Sequence, residues 1–202
     1  MKLPELKECF QCFDQYSMLD NIREHSIMVT RVAETLYDNL SSALPPENLP
    51  EKRVVIIGAL MHDIAKSLCL NDNRPHAVVG MEICQQHGWP ELAKIVEEHV
   101  LLKHFDDEAY QRGVFGAKEL VFYSDKRVNH HEVVTLNQRL AYILERYSRD
   151  DPYRIKRIRA NFETGFTLEK RFFSHIDFPP EELSSHLQPS TDDFGLTAQD
   201  IP

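Results

Sequence analysis

The apolar segment at residues 54–65, with the sequence VVIIGALMHDIA, constrains the fold of this chain more than any other feature. As a helix it is apolar nearly all the way round, and such a helix is stable only where other elements surround it. We expect this central helix to span residues 50–66. His62 and Asp63 lie near its end, where a buried carboxylate beside an imidazole is costly unless it is paired or bound to metal. The sequence therefore predicts a helical bundle with a polar centre beside its most buried helix.

Helical periodicity recurs along the chain, while strand signals are nearly absent. Pro4 before Glu5 favours a first helix, and Asp20 is the expected N-cap of a long second helix that ends near Ser42. Residues 101–115 are expected to form a loop, and the stretch from Gln188 is expected to be a tail. The predicted fold class is all-α. The other helices are expected at residues 75–87, 89–100, 116–128, 132–148 and 152–176.

The composition narrows the classes of ligand. The 202 residues carry 32 acidic and 23 basic side chains, a net charge of −9 that argues against a nucleic-acid polymer or an anionic membrane surface as partner. There are only 7 glycines, and neither GxGxxG nor GxxxxGK[ST] occurs, so no phosphate-binding glycine loop is predicted. The 10 histidines outnumber the glycines, which favours a search for a metal site.

Cysteine usage and targeting signals give an expected compartment. The N-terminus has no apolar core of signal-peptide length, and no apolar stretch is long enough for a membrane span. Cys9 and Cys12 form a CxxC that lacks a second pair, so they are expected on a buried helix stripe and not in a zinc site. We expect a cytoplasmic protein with reduced thiols.

Six side chains are candidate metal ligands. His25, His76, His99 and Asp125 lie on segments separate from His62-Asp63, and they could meet only in the folded core. Imidazole and carboxylate donors suit Mn, Fe, Co, Ni, Zn or Mg, in contrast to the cysteine ligands of structural zinc. Taken singly, each histidine is more often an ordinary core or surface residue.

The order of these residues resembles a known signature. His25, then His62-Asp63, then Asp125 is similar to the pattern of the HD superfamily of metal-dependent phosphohydrolases, and HDIAK at 62–66 resembles the HD-I-x-K stretch of that superfamily. The resemblance covers roughly residues 20–130. His76 and His99 match the extra histidines of its binuclear branch. The run RPHAVVGMEICQQHG resembles the bacterial enzymes that cleave diadenosine tetraphosphate symmetrically, whereas the GYP motif of the cyclic-dinucleotide phosphodiesterases is absent.

This resemblance implies an architecture and a metal centre. It implies an HD core at 20–130. From the periodicity we expect an N-terminal helix at 1–19, C-terminal helices at 131–187 that pack on the core, and a tail at 188–202. One or two divalent ions would activate a hydroxide for attack on phosphorus. The first ion would be bound by His25, His62, Asp63 and Asp125, and the second by Asp63, His76 and His99.

The expected substrate is a small phosphorylated molecule, most simply a nucleotide. Lys66 lies one turn beyond His62 and is expected to contact phosphate beside the catalytic Asp63. Weaker candidates for substrate contacts are Arg74, Lys103, His104 and Arg127. Two alternatives remain open, a di-iron oxygenase of the same fold and a non-catalytic, metal-dependent nucleotide-binding or regulatory module. The choice between monomer and homodimer is also open.

Overall fold

The computed structural model describes residues 2–71 and 74–187 and confirms the all-α fold class. Nine α-helices and one two-residue antiparallel hairpin are present in these ranges, together with 3₁₀ helices at Pro46–Asn48, Ser67–Cys69 and Pro180–His186. The α-helices and strands are α1 (Leu6–Gln15), α2 (Asp20–Ala43), α3 (Lys52–Met61), α4 (His76–Gln86), α5 (Pro90–Glu98), α6 (Asp107–Gln111), α7 (Ala117–Lys126), β1 (Val128–Asn129), β2 (Glu132–Val133), α8 (Leu136–Tyr147) and α9 (Pro152–Phe172).

Helix α3 is the centre of the bundle, as its apolar sequence predicts. Every residue from position 54 to position 61 is buried, and the helix packs against α1, α2, α5 and α7. Gly58 permits the closest approach, because a Cβ atom there would lie 2.9 Å from Cγ2 of Ile95 on α5 and 3.4 Å from Cγ2 of Val121 on α7. The tight packing fixes the position of the residues that follow the helix.

The expected extension of α3 to Lys66 is wrong. The helix ends at Met61, and the next residues form turns in which the Ile64 amide bonds to the Met61 carbonyl and the Lys66 amide to the Asp63 carbonyl. The ring of His62 donates from Nδ1 to the carbonyl oxygen of Ala59 at 2.6 Å. Because a helix end leaves carbonyls without amide partners, this side chain satisfies one of them and stabilises the termination.

The C-terminal helices pack on the core through a buried arginine. Arg127 is 1% exposed, and its guanidinium donates to the Val134 and Pro180 carbonyls, the Tyr123 hydroxyl and the Glu169 carboxylate. All three of its nitrogens are thus used inside the protein. The expected substrate contact by Arg127 is therefore wrong, and this residue instead joins α7 to α9 and to the segment near Pro180.

Several other local predictions can be compared with the structure, and some of them are wrong. The predicted loop at 101–115 contains α6, capped by Asp106, whose side chain accepts from the Ala109 amide at 3.0 Å. Leu19, not Asp20, occupies the N-cap of α2. Cys9 and Cys12 are buried on α1 as expected. The expected tail from Gln188 lies outside the described residues. None of the helices in the described ranges is both long enough and apolar enough to span a bilayer.

Candidate metal centre

Five segments bring the six candidate ligands together around the end of α3. His25 lies on α2, His62 and Asp63 directly follow α3, and the other three come from α4, α5 and α7. His62 is fully buried and Asp63 is 1% exposed. His76 lies at the start of α4, His99 just beyond α5, and Asp125 in the last turn of α7.

Three of the imidazoles are oriented by the main chain. Nδ1 of His25 lies 2.8 Å from the His130 carbonyl, and Nδ1 of His99 lies 2.6 Å from the Val96 carbonyl, which repeats the arrangement of His62 with Ala59. A carbonyl oxygen only accepts hydrogen bonds, so Nδ1 must carry the proton in each ring. The neutral form of each ring therefore presents the lone pair of Nε2, which is the arrangement of metal-binding histidines.

The first group of ligand atoms surrounds Asp125. Nε2 of His25 lies 3.0 Å from Oδ1 of Asp125, and Nε2 of His62 lies 3.7 Å from the same oxygen. Oδ2 of Asp63 lies 3.3 Å from Nε2 of His62 and 3.8 Å from Nε2 of His25. Two imidazole nitrogens and two carboxylate oxygens thus converge in one small volume.

The second group lies on the other side of the Asp63 carboxylate. Its Oδ1 is 3.2 Å from Nε2 of His76 and 3.5 Å from Nε2 of His99. The two imidazole Nε2 atoms are 3.1 Å apart. The two oxygens of Asp63 therefore contact different histidine pairs, as a carboxylate between two cations would.

The unsatisfied atoms of the cluster fit a metal ion. Among the described residues, Nε2 of His62 and Oδ1 of Asp63 are buried without a hydrogen-bond partner. Each such atom costs about 1–3 kcal/mol unless something binds it. In each of two sets of three residues, the ligand atoms all lie within 4.8 Å of one another. The first set is His25, His62 and Asp125, and the second is His62, Asp63 and His99. The donor set, imidazole and carboxylate, is one that divalent metals prefer.

Electrostatics keep the two carboxylates ionised, which is the form that binds metal. Burial opposes the charge of Asp63, but Lys66, whose Nζ is 2.6 Å from Oδ2, and His62 outweigh it and hold the Asp63 pKa well below its usual range. Burial likewise opposes ionisation of Asp125, but the hydrogen bond from His25 and the charge of His62 lower its pKa strongly. Burial lowers the pKa of His99 to about 4, so this ring is neutral at pH 7.

A cavity of about 430 Å³ opens directly onto the cluster. Its wall includes the carboxylates of Asp63 and Asp125 and the cationic side chains of Lys66, Arg74 and Arg139. The volume is within the usual range for small-molecule sites. The cations offset the acidic character of the chain at this cavity.

Of the three remaining weaker candidates for substrate contacts, the structure places one in the cavity wall and two outside it. Arg74 lines this cavity, as expected for a substrate contact. Lys103 is not in its wall, and its ammonium pairs with Glu97. His104 is exposed and is also absent from the wall. Neither Lys103 nor His104 thus lines the metal cavity.

Two basic residues at the site were missed by sequence reasoning. Arg139 on α8 lines the cavity and donates to Oδ1 of Asn129 at 2.7 Å. Lys126 is buried behind the cavity, where its Nζ lies 3.4 Å from the centroid of the Phe122 ring and 3.3 Å from the Val100 carbonyl. Burial lowers the pKa of Lys126 to about 7. For Arg139, the available sequence signal was its spacing from Ile143 and Tyr147, since the three residues are four apart and share one face of α8.

Comparison with known proteins gives one family. The family model described as HD domain matches residues 22–151, which is more than half of the chain and includes all six candidate ligands. No curated protein and no solved structure matches the chain.

Proposed function

Because the chain belongs to the HD domain family, which is a family of metal-dependent hydrolases, we propose that it is a phosphohydrolase acting on a small nucleotide or related metabolite. The bond cleaved is a phosphoester or a phosphoanhydride. The observation that carries the proposal is the Asp63 carboxylate, whose two oxygens contact two different sets of imidazole nitrogens beneath a cation-lined cavity. Such a site combines metal ligands with a phosphate-binding wall.

The distances among the ligand atoms support the following ligand assignments. His25, His62, Asp63 and Asp125 would hold one divalent ion, and Asp63, His76 and His99 would hold a second. Bound there, the metal would lower the pKa of a water molecule toward neutrality and so supply a hydroxide nucleophile. The donors suit Fe, Mn, Co, Ni, Mg or Zn.

The side chains of the cavity wall position the phosphate. Burial opposes the charge of Lys66, but the carboxylates of Asp63 and Asp125 raise its pKa, so the ammonium stays charged. It can donate to a phosphoryl oxygen while it remains close to Asp63. Arg139 and Arg74 add guanidinium groups on the same wall, and guanidinium groups bind phosphate through paired hydrogen bonds.

The test is a metal-dependent hydrolysis screen. Protein stripped with chelator and reloaded separately with each metal is assayed against p-nitrophenyl phosphate, bis-p-nitrophenyl phosphate and a panel of nucleotides. We expect cleavage by at least one metal form and a loss of at least about a hundredfold in Asp63→Asn. The matched control is Asp20→Asn, at an exposed position on α2. Absence of cleavage across the whole panel with every metal would overturn the proposal.

The same screen separates the two alternatives. An oxygenase would consume dioxygen when loaded with iron and would be inactive without oxygen, whereas phosphoester hydrolysis proceeds anaerobically. A non-catalytic module would bind nucleotides without turnover in either condition. The imidazole and carboxylate ligands suit iron as well as the other metals. Turnover, and not metal content, therefore distinguishes a hydrolase from an oxygenase and from a binding module.

A further inference from the structure

We propose that a second cavity, adjoining the metal cavity, binds the aromatic base of a nucleotide by stacking it on Tyr147. The inference rests on the proposed function and adds the part of the substrate that is remote from the phosphate. The second cavity has a volume of about 820 Å³ and lies between the first half of α9, the end of α8 and residues 100–101. We refer to it as the outer cavity.

The outer cavity and the metal cavity adjoin each other. Val100, Tyr147, Ile158 and Asn161 line both of them. A ligand whose phosphate lies beside Asp63 and Lys66 can therefore extend past Tyr147 into the outer cavity. A phosphate alone would leave this larger volume unused.

Tyr147 is an exposed aromatic ring at that boundary. It is 51% exposed, and within the described ranges it makes no ring contact and no hydrogen bond. Tyr142, on the preceding turns of the same helix, differs, because its ring packs on His130 with centroids 5.5 Å apart and on the Arg139 guanidinium at 5.4 Å. An aromatic face without a protein partner, next to a phosphate-binding wall, is suited to stacking on a base.

Part of the wall of the outer cavity is apolar and held in place. Val100 and Leu101 are 39% and 51% exposed. The Val100 carbonyl accepts hydrogen bonds from Nδ2 of Asn161 at 2.9 Å and from Nζ of Lys126 at 3.3 Å. These two bonds, from α9 and α7, fix the segment that faces the outer cavity. Exposed apolar side chains concentrated at one place indicate a binding surface.

Arg157 supplies a planar cation in the same cavity. It is exposed, and its guanidinium carbon lies 5.7 Å from the centroid of the Tyr153 ring. Arg154 in the same wall pairs with Asp151 at 3.6 Å, whereas Arg157 has no carboxylate partner in the described part of the chain. A guanidinium can stack on a base or donate to its ring nitrogens and carbonyl oxygens.

The test compares ligands that differ only in the base. Isothermal titration of the Mn²⁺-loaded full chain measures the affinity of the 5′-phosphonates of adenosine, guanosine, cytidine and uridine, and of ribose 5-phosphonate, which bind without a cleavable ester. Stacking is worth about 1–3 kcal/mol per base. At about 1.4 kcal/mol per tenfold, at least one nucleoside phosphonate should bind about tenfold more tightly than ribose phosphonate.

Variants assign that difference to the outer cavity. Tyr147→Ala should bring the ratio of nucleoside phosphonate affinity to ribose phosphonate affinity close to one, and Tyr147→Phe should keep the wild-type ratio. Arg157→Ala should weaken nucleoside binding severalfold, whereas Arg159→Ala, two residues along α9 and outside the outer cavity, should not. Equal affinities for nucleoside and ribose phosphonates in the wild type would overturn the inference. So would a base advantage that survives Tyr147→Ala.

Hydrolysis of p-nitrophenyl phosphate, which has no base, keeps the two proposals distinguishable. If no member of the whole panel is hydrolysed with any metal but the advantage of the base persists and depends on Tyr147, the proposed reaction fails and the base site stands. If hydrolysis occurs without any advantage of a base, the base site is overturned and the reaction stands.

Discussion

The imidazole Nε2 atoms of His76 and His99 lie 3.1 Å apart, and each is within 3.5 Å of the same oxygen of Asp63. This contact separates the ligands into two groups, because His25 and His62 contact the other Asp63 oxygen. His76 and His99 can thus be replaced while Asp63 and the other ligands of the first group are kept. The number of bound metals is therefore accessible to mutation.

We expect about two metal ions per chain in the wild type and about one in His76→Ala and in His99→Asn, measured by inductively coupled plasma mass spectrometry. The remaining ion would be held by His25, His62, Asp63 and Asp125. The control is His131→Ala, whose side chain is 65% exposed. A wild type with one ion, or a variant that loses both, would contradict the two-group arrangement.

Replacement of Lys66 should affect turnover more than metal content. Its Nζ lies 2.6 Å from Asp63 and lines the cavity, so Lys66→Ala removes a phosphate donor and leaves all six ligands in place. We expect kcat/KM for p-nitrophenyl phosphate to fall by about a hundredfold with unchanged metal content. Lys94→Ala, at an exposed position on α5, is the control. Loss of metal together with activity would show that Lys66 acts on the ligands instead.

The local packing predicts opposite effects of alanine substitution at two glycines, one on α3 and one on α9. In Gly58→Ala the new Cβ would lie 2.9 Å from Cγ2 of the β-branched Ile95, and such overpacking costs about 1–3 kcal/mol of unfolding free energy. In Gly165→Ala on α9 the nearest atom, Cδ of Lys126, is 3.4 Å away, and the gain in helix propensity should stabilise the protein by up to about 1 kcal/mol. Urea unfolding of the metal-free variants measures both. Equal effects of the two substitutions would contradict the packing described.

A thiol-alkylating reagent should modify Cys69 faster than the other cysteines. Burial raises the pKa of Cys84 to about 12 and raises that of Cys9 as well, so at pH 8 these thiols stay protonated and unreactive. Cys69 is only partly buried and lines the metal cavity. At a fixed pH, alkylation should therefore modify Cys69 before the buried Cys9, Cys12 and Cys84, as mapped by peptide mass spectrometry.

Labelled protein should also lose hydrolysis, because an added group on Cys69 occupies the cavity. Cys69→Ser, treated with the same reagent, should keep its activity. Faster labelling of Cys84 than of Cys69 would show that the burial described for α4 is incorrect.

The prediction from sequence succeeded where the signal was local. The apolar run at 54–61 indicated the central helix, and the order of histidines and aspartates indicated the family. It failed at the end of α3, because the apolar pattern continues to Ala65, whereas the hydrogen bond from the His62 ring to the Ala59 carbonyl is a matter of side-chain geometry that periodicity does not record.

The errors at Arg127 and Arg139 have one physical cause. The partners of Arg127 include Glu169 and Pro180, 42 and 53 residues away along the chain. Arg139 reaches the metal cavity because the 128–133 hairpin turns α8 back toward it. Pairings at such separations depend on the packing of whole helices, so the spacing of either arginine from Asp125 says nothing about them.

The hydrogen bonds from three ligand imidazoles to main-chain carbonyls have a further consequence. The acceptors belong to residues 59, 96 and 130, and any amino acid that keeps the local backbone course supplies the same oxygen. The orientation of the three imidazole rings thus depends on the main-chain carbonyls and not on the side chains at those three positions. Metal content should therefore tolerate substitutions at these positions that fit the local packing, which at the fully buried Ala59 and Val96 means apolar residues of similar size.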